Sequence, residues 1–273
     1  MIFNIHSTDE ARDTLYRFTS IPFSDWEKED KFYHDYEYCD KFLEVTIRKY
    51  GNKLPRFEDI DFVISHITTS GNSCQSIRDK GLTDLVSAYS AKDSELRMFI
   101  EQHGIDIWLD RKCLKYGDRY FDISFGNPPN SWKTEAYRAW LVGRKFYYDS
   151  WINGFLQISP SDVYLGNVHR RPEILKNIDD LLGLRLSEEW AQAHSTYEVR
   201  AKVSWNNIVC TSGQPTSEGK ALSYLSWAYN AAYGGKSSIV VMLKEGIRIP
   251  AQDIISVKPF TTWNKSSIKA GAK

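Results

Sequence analysis

The chain has 273 residues, 42 % of them hydrophobic and 14 % aromatic, and its 35 Lys and Arg are balanced by 35 Asp and Glu. This length sits at the roughly 250–300 residues where one core stops growing, and zero net charge gives no global pull towards a polyanion or an acidic membrane surface. Four cysteines without a CxxC pair signal neither a zinc site nor a disulfide framework, and no run of about 18 apolar residues marks a membrane span.

The amino terminus, "MIFNIHSTDEARDTLYRF", carries acids where a leader would be basic and then apolar. A reduced, cytoplasmic protein with no membrane partner and no metal is therefore expected. Residues 1–60 carry aromatic-acidic helices, "DEARDTLYRF" and "YEYCDKFLEVTIRKYG", and are expected as a helical extension packed on the core. "DFVISHITT" is short, β-branched and bounded by Gly71 and Asn72, which predicts a strand. A short helix follows with Ser73 as its cap and Gly81 at its stop. Thr83 and Ser94 are expected to cap two more helices, the second halted by Gly104.

"IDIWL" and "RYFDISF" alternate as strands and lead to a turn at Pro128 and Pro129. From about 130 to 190 the pattern is mostly helical, broken by the loop "SPSDVYLGNVHRRPE". "STYEVRAKV" is an alternating strand with Tyr197, Val199, Ala201 and Val203 on one face. Ser217 is expected to cap a helix that Gly234 stops, and "SIVVML" and "DIISV" complete the strands. No repeat or linker is visible. The expected fold is α+β, a single elaborated domain over 61–265 with a helical insertion at 130–190 and a loose tail at 266–273.

A strand that ends in His66, Thr68 and Thr69 and runs straight into a helix projects an imidazole and hydroxyls from one strand end. These groups hydrogen-bond a ribose or an amide without needing charge. "SHITTSGNSCQSIRDKGL" resembles the first motif of the ADP-ribosyltransferase superfamily, in which a strand-end His with a nearby Thr or Ser precedes a helix ending in Gly-Leu. It is most similar to the form in relatives of the poly-ADP-ribose polymerases and in the bacterial DarT toxins. The resemblance implies a split mixed β-sheet core, NAD as co-substrate, and His66, Thr68 and Thr69 as the residues holding its ribose and nicotinamide amide.

It further implies an aromatic ring stacked on nicotinamide, with Tyr120 or Phe121 of "GDRYFDISF" in that role. It also implies a catalytic glutamate, Glu198 in "STYEVRAKVSWNNI" or Glu218 in "TSGQPTSEGKALSYL". A transferase of this kind resembles the toxin of a toxin–antitoxin or antiphage system, with an antitoxin protein as partner. The acceptor is nucleic acid, RNA included, or protein.

Tyr164, His169, Arg170 and Arg171 form the densest basic cluster, suited to gripping a pyrophosphate or single-stranded RNA through stacking and charge. Two alternatives stand beside the transferase. Because "HSTY" repeats the His-x-Thr pattern at His194, one is a two-histidine phosphoesterase with His66 and His194 as general acid and base. The other is a non-enzymatic binding or immunity protein that exposes Trp140, Trp151, Trp190 or Trp205.

Overall fold

The computed structural model describes residues 1–30, 39–54, 59–159, 168–209, 216–235 and 237–260. It is mixed α and β with a mostly antiparallel sheet. In chain order come β1 (Ile2–Phe3), α1 (Thr8–Thr19), α2 (Phe23–Asp30), α3 (Cys39–Lys49) and β2 (Asp61–Ser70). Three short helices follow, α4 (Gln75–Lys80), α5 (Leu85–Ser90) and α6 (Glu95–Gln102), then β3 (Ile105–Trp108), β4 (Cys113–Tyr116), β5 (Arg119–Asp122), α7 (Glu135–Tyr147) and β6 (Asn153–Gln157). The remainder is α8 (Glu173–Leu182), α9 (Leu186–Ala193), β7 (Ser195–Ser204), β8 (Ile208–Val209), α10 (Ser217–Ala232), β9 (Ile239–Leu243) and β10 (Ile254–Pro259).

One sheet has the order β10-β7-β2-β6-β9-β8, with β1 joined in parallel to β2, and β3-β4-β5 form a separate antiparallel meander. By contacts the chain divides into two interleaved units, 1–66 with 153–162 and 200–243, and 67–152 with 163–199 and 244–273. Residues 1–60 thus fall in the same unit as 200–243.

The first unit is built on aromatic rings. Phe3 meets Phe62 at 4.8 Å, Phe62 meets Tyr224 at 5.0 Å, and Trp205 meets Tyr224 at 4.9 Å. Trp26 and Phe42 pack on Tyr229 of α10, where α1 and α3 also pack. Burying each such ring contributes about 1.5–3 kcal/mol. The second unit has its own core, in which Ile105, Leu114 and Phe121 of the meander pack with Phe146, Leu175 and Trp190.

Several local expectations are corrected. The 130–190 stretch is not a continuous helical insertion, because β6 lies within it and pairs with β2 (Ser65 opposite Phe155) and β9. Gly154 lies close to β2: a Cβ there would lie 2.9 Å from Ile64 Cδ1 and 3.2 Å from its Cβ, so a larger residue would make the Ile64 side chain shift. The strand β4 was not foreseen either.

Three caps shift by one or more residues. Asp84, not Thr83, accepts the Ser87 amide, and Thr216, not Ser217, accepts the Gly219 amide. Ser73 caps nothing, since it and Cys74 both have positive φ, and the Cys74 and Gln75 amides go to Ser70 Oγ and Asn72 Oδ1. Ser94 and Gly104 act as expected.

Candidate functional site

The face alternation of β2 selects the residues. Ser65, Ile67 and Thr69 are buried, while His66 and Thr68 between them are half-buried. Residues two apart on a strand share a face, so the imidazole and the Thr68 hydroxyl project from the same side. His66 Nδ1 lies 2.8 Å from the Asn153 carbonyl oxygen on β6. A carbonyl only accepts, so Nδ1 carries the proton, and the neutral ring keeps Nε2 as an acceptor. Loss of hydration lowers the His66 pKa from the usual 6.5, against the opposing pull of the Asn153 bond. The ring therefore stands neutral at physiological pH and is held in one orientation.

Thr69 has another use. Its Oγ1 accepts the Trp190 indole N–H at 2.8 Å in the second unit, and both residues are buried. Trp190 in turn lies flat on His194, ring centroids 3.5 Å apart and 7° from parallel. His194 has Nδ1 at 2.9 Å from the Trp190 carbonyl and Nε2 at 3.1 Å from Glu95 Oε1. Glu95 then holds the segment after β2: its Oε1 accepts the Gly71 amide at 2.7 Å and its Oε2 the Ser70 hydroxyl at 3.0 Å. One carboxylate and two stacked rings thus fix the backbone that leaves the His-x-Thr strand.

No family model, curated protein or solved structure matches this chain. What the chain does must therefore be argued from its own groups.

The other anticipated residues are dispersed. Phe121 is buried in the core of the meander, whereas Tyr120 beside it is 63 % exposed on the opposite face. Their strand belongs to the separate sheet and is not hydrogen-bonded to β2. Glu198 is half-buried on β7, the strand next to β2, and Glu218 is exposed in the first turn of α10.

Tyr164 lies outside the described residues. His169 gives its carbonyl to the Thr196 hydroxyl, Arg170 is exposed, and Arg171 is half-buried with its pKa lowered by burial. Of the four tryptophans, Trp190 is buried and Trp140, Trp151 and Trp205 are half-buried. The Cys74 thiol is pushed up to about 11 by burial, so it is no nucleophile at neutral pH. Among the described residues, no group of three or more His, Cys, Asp or Glu gathers as metal ligands, and no helix is long and apolar enough to cross a membrane.

Sequence reasoning missed Asn153 and Glu95. Asn153 acts through its backbone, which no side-chain motif can signal. Trp190 and His194 did carry a signal, because a spacing of four stacks two rings on one helix face.

Proposed function

We propose that the chain is an NAD-dependent ADP-ribosyltransferase, with an ADP-ribosyltransferase-like core, that modifies a macromolecule and releases nicotinamide. The observation that carries the reading is the pair His66 and Thr68, side by side on one strand face, with the imidazole neutral and its Nε2 left as an acceptor. In the reaction the bond between the ribose C1′ and the nicotinamide nitrogen breaks, and its electron pair leaves with nicotinamide. The acceptor nucleophile then bonds to C1′ and gives up its proton.

Nicotinamide is already a cationic leaving group, so the protein's contribution is position and negative charge near the developing oxocarbenium ion. In this reading His66 Nε2 accepts a ribose hydroxyl proton and the Thr68 hydroxyl meets the nicotinamide amide. Glu198 on β7 supplies the carboxylate in the same reading, and Glu218, exposed on α10, is its rival. Such a transferase must be restrained in the cell that makes it, which is why an antitoxin partner belongs to the proposal.

Two observations weigh against the phosphoesterase alternative. His194 is the C-cap of α9, and both its ring nitrogens face protein groups in a nearly closed setting. A general acid or base needs a ring nitrogen within reach of substrate. The test of the proposal is incubation of the protein with labelled NAD and cell extract, then separate nuclease and protease digestion of the label. Labelled macromolecule with wild type and none with His66→Ala supports it, and equal turnover by the two proteins removes the site. Glu198→Gln and Glu218→Gln, assayed separately for nicotinamide release, decide the carboxylate.

A further inference from the structure

The helix α7 buries Ala139, Val142, Gly143 and Phe146 in the second unit. Its other side carries Tyr137, Trp140 and Arg144, and these do not point into a core. Phe125, from the loop before the helix, inserts between Trp140 and Tyr148, with centroids 5.1 Å from each and ring planes 27° and 21° from parallel. Tyr137 stacks on Trp140 at 5.6 Å and 26°, and Trp151 follows Tyr148 at 6.1 Å. The Trp140 indole donates to the Gly126 carbonyl at 2.9 Å, which holds the row in register. The result is a strip of four nearly parallel rings, Tyr137, Trp140, Phe125 and Tyr148, ended by Trp151 tilted 51° to Tyr148, half-buried along its length and 52 % exposed at Tyr148.

Cations accompany the strip. The Arg144 guanidinium lies 5.9 Å from the centre of Tyr148, and Lys133 lies 5.1 Å from the centre of Trp132, a ring that is 70 % exposed. Arg138 is exposed on the same helix. None of these three has an ion-pair partner among the described residues, whereas the neighbouring acids do: Glu135 pairs with Arg119, and Asp149 with Lys145. In a chain of zero net charge, these three cations, on α7 and just before its N-cap Thr134, stand without a partner acid among the described residues.

We propose that the strip is a docking surface for single-stranded nucleic acid, with bases stacking on the exposed Trp132 and Tyr148 and along the row, and phosphates meeting Lys133, Arg138 and Arg144. Aromatic rings interleaved with uncompensated cations match a strand whose bases are free to stack and whose backbone is anionic. A duplex keeps its bases stacked on one another, so rings of this kind gain little from it. As the acceptor for ADP-ribose such a strand rests on the reading above; as a ligand of this surface it does not.

Fluorescence anisotropy with labelled 12-nucleotide single strands, RNA and DNA, tests it on the full chain without NAD. Binding should weaken by about tenfold or more for Tyr148→Ala and for Trp132→Ala, and Arg138→Gln and Arg144→Gln should each reduce the slope of log K against log salt by about 0.7. His66→Ala should bind as wild type does. Circular dichroism of each variant confirms that it is folded. Absence of binding at low salt, equal binding of the matched duplex, or binding indifferent to all four substitutions overturns the proposal. Binding without NAD consumption in the presence of the strand leaves the surface standing and sinks the transferase; NAD consumption without binding does the reverse.

Discussion

His66 Nδ1 sits 2.8 Å from the Asn153 carbonyl oxygen, and this bond joins two neighbouring strands through a side chain. It sets the tautomer with the proton on Nδ1, fixes the ring's orientation, and leaves Nε2 as the acceptor. The acceptor is a backbone atom, so no substitution at position 153 short of moving the strand removes it. Control of the imidazole therefore lies in the pairing of β2 with β6.

His66 also carries a pH signature. Its folded-state pKa is depressed by burial, so the unfolded chain takes up this proton first as pH falls below about 6.5. Stability should be unaffected by this group above that value and should decline as pH drops beneath it. Urea denaturation of wild type and His66→Gln from pH 7.5 to 5 checks this, with the variant expected to show the shallower pH dependence.

The two threonines should separate cleanly. Thr69→Val leaves the buried Trp190 indole N–H without its acceptor, which costs about 1–3 kcal/mol, while Thr69→Ser keeps the bond and most of the stability. Thr68→Val, half-buried on the opposite face, should change denaturation little and nicotinamide release substantially. Paired denaturation and turnover measurements decide whether the roles divide in this way.

Glu95 anchors the segment after β2, and Glu95→Ala removes a charged acceptor from the Gly71 amide and the Ser70 hydroxyl. A loss of about 2–3 kcal/mol is expected. Hydrogen exchange at the Gly71 amide should accelerate, and an unchanged rate would mean that the carboxylate is not what holds it.

Gly81 ends α4 at φ 87° and ψ −175°, a conformation open to glycine, and a Cβ there would lie 2.0 Å from the Ile249 carbonyl oxygen. Gly81→Ala must break the Leu82–Ile249 bridge or strain the backbone, at a cost of about 3 kcal/mol. Thermal denaturation should show a loss of several degrees.

Elements with a clean period were legible in the chain. The strands β2 and β7 announce themselves by alternation, and Val199, Ala201 and Val203 occupy the buried face as read. The strand β6 was not legible, because "INGFLQ" is a short apolar run that fits a buried strand or the end of a helix equally well, and its glycine weakens either assignment. Caps slipped wherever two adjacent residues, Thr83 and Asp84 or Thr216 and Ser217, could each offer an oxygen.

By itself the sequence determined the mixed class of the fold, the strand that carries His66 and Thr68, and the presence of several helices, since these follow from local periodicity and turn chemistry. Only tertiary structure decided which hydroxyl of "HITT" is spent on Trp190, that His194 is committed to a ring stack and a carboxylate, and that Phe125 reaches back between Trp140 and Tyr148. Each depends on which distant group a side chain meets, and spacing along the chain carries no record of that.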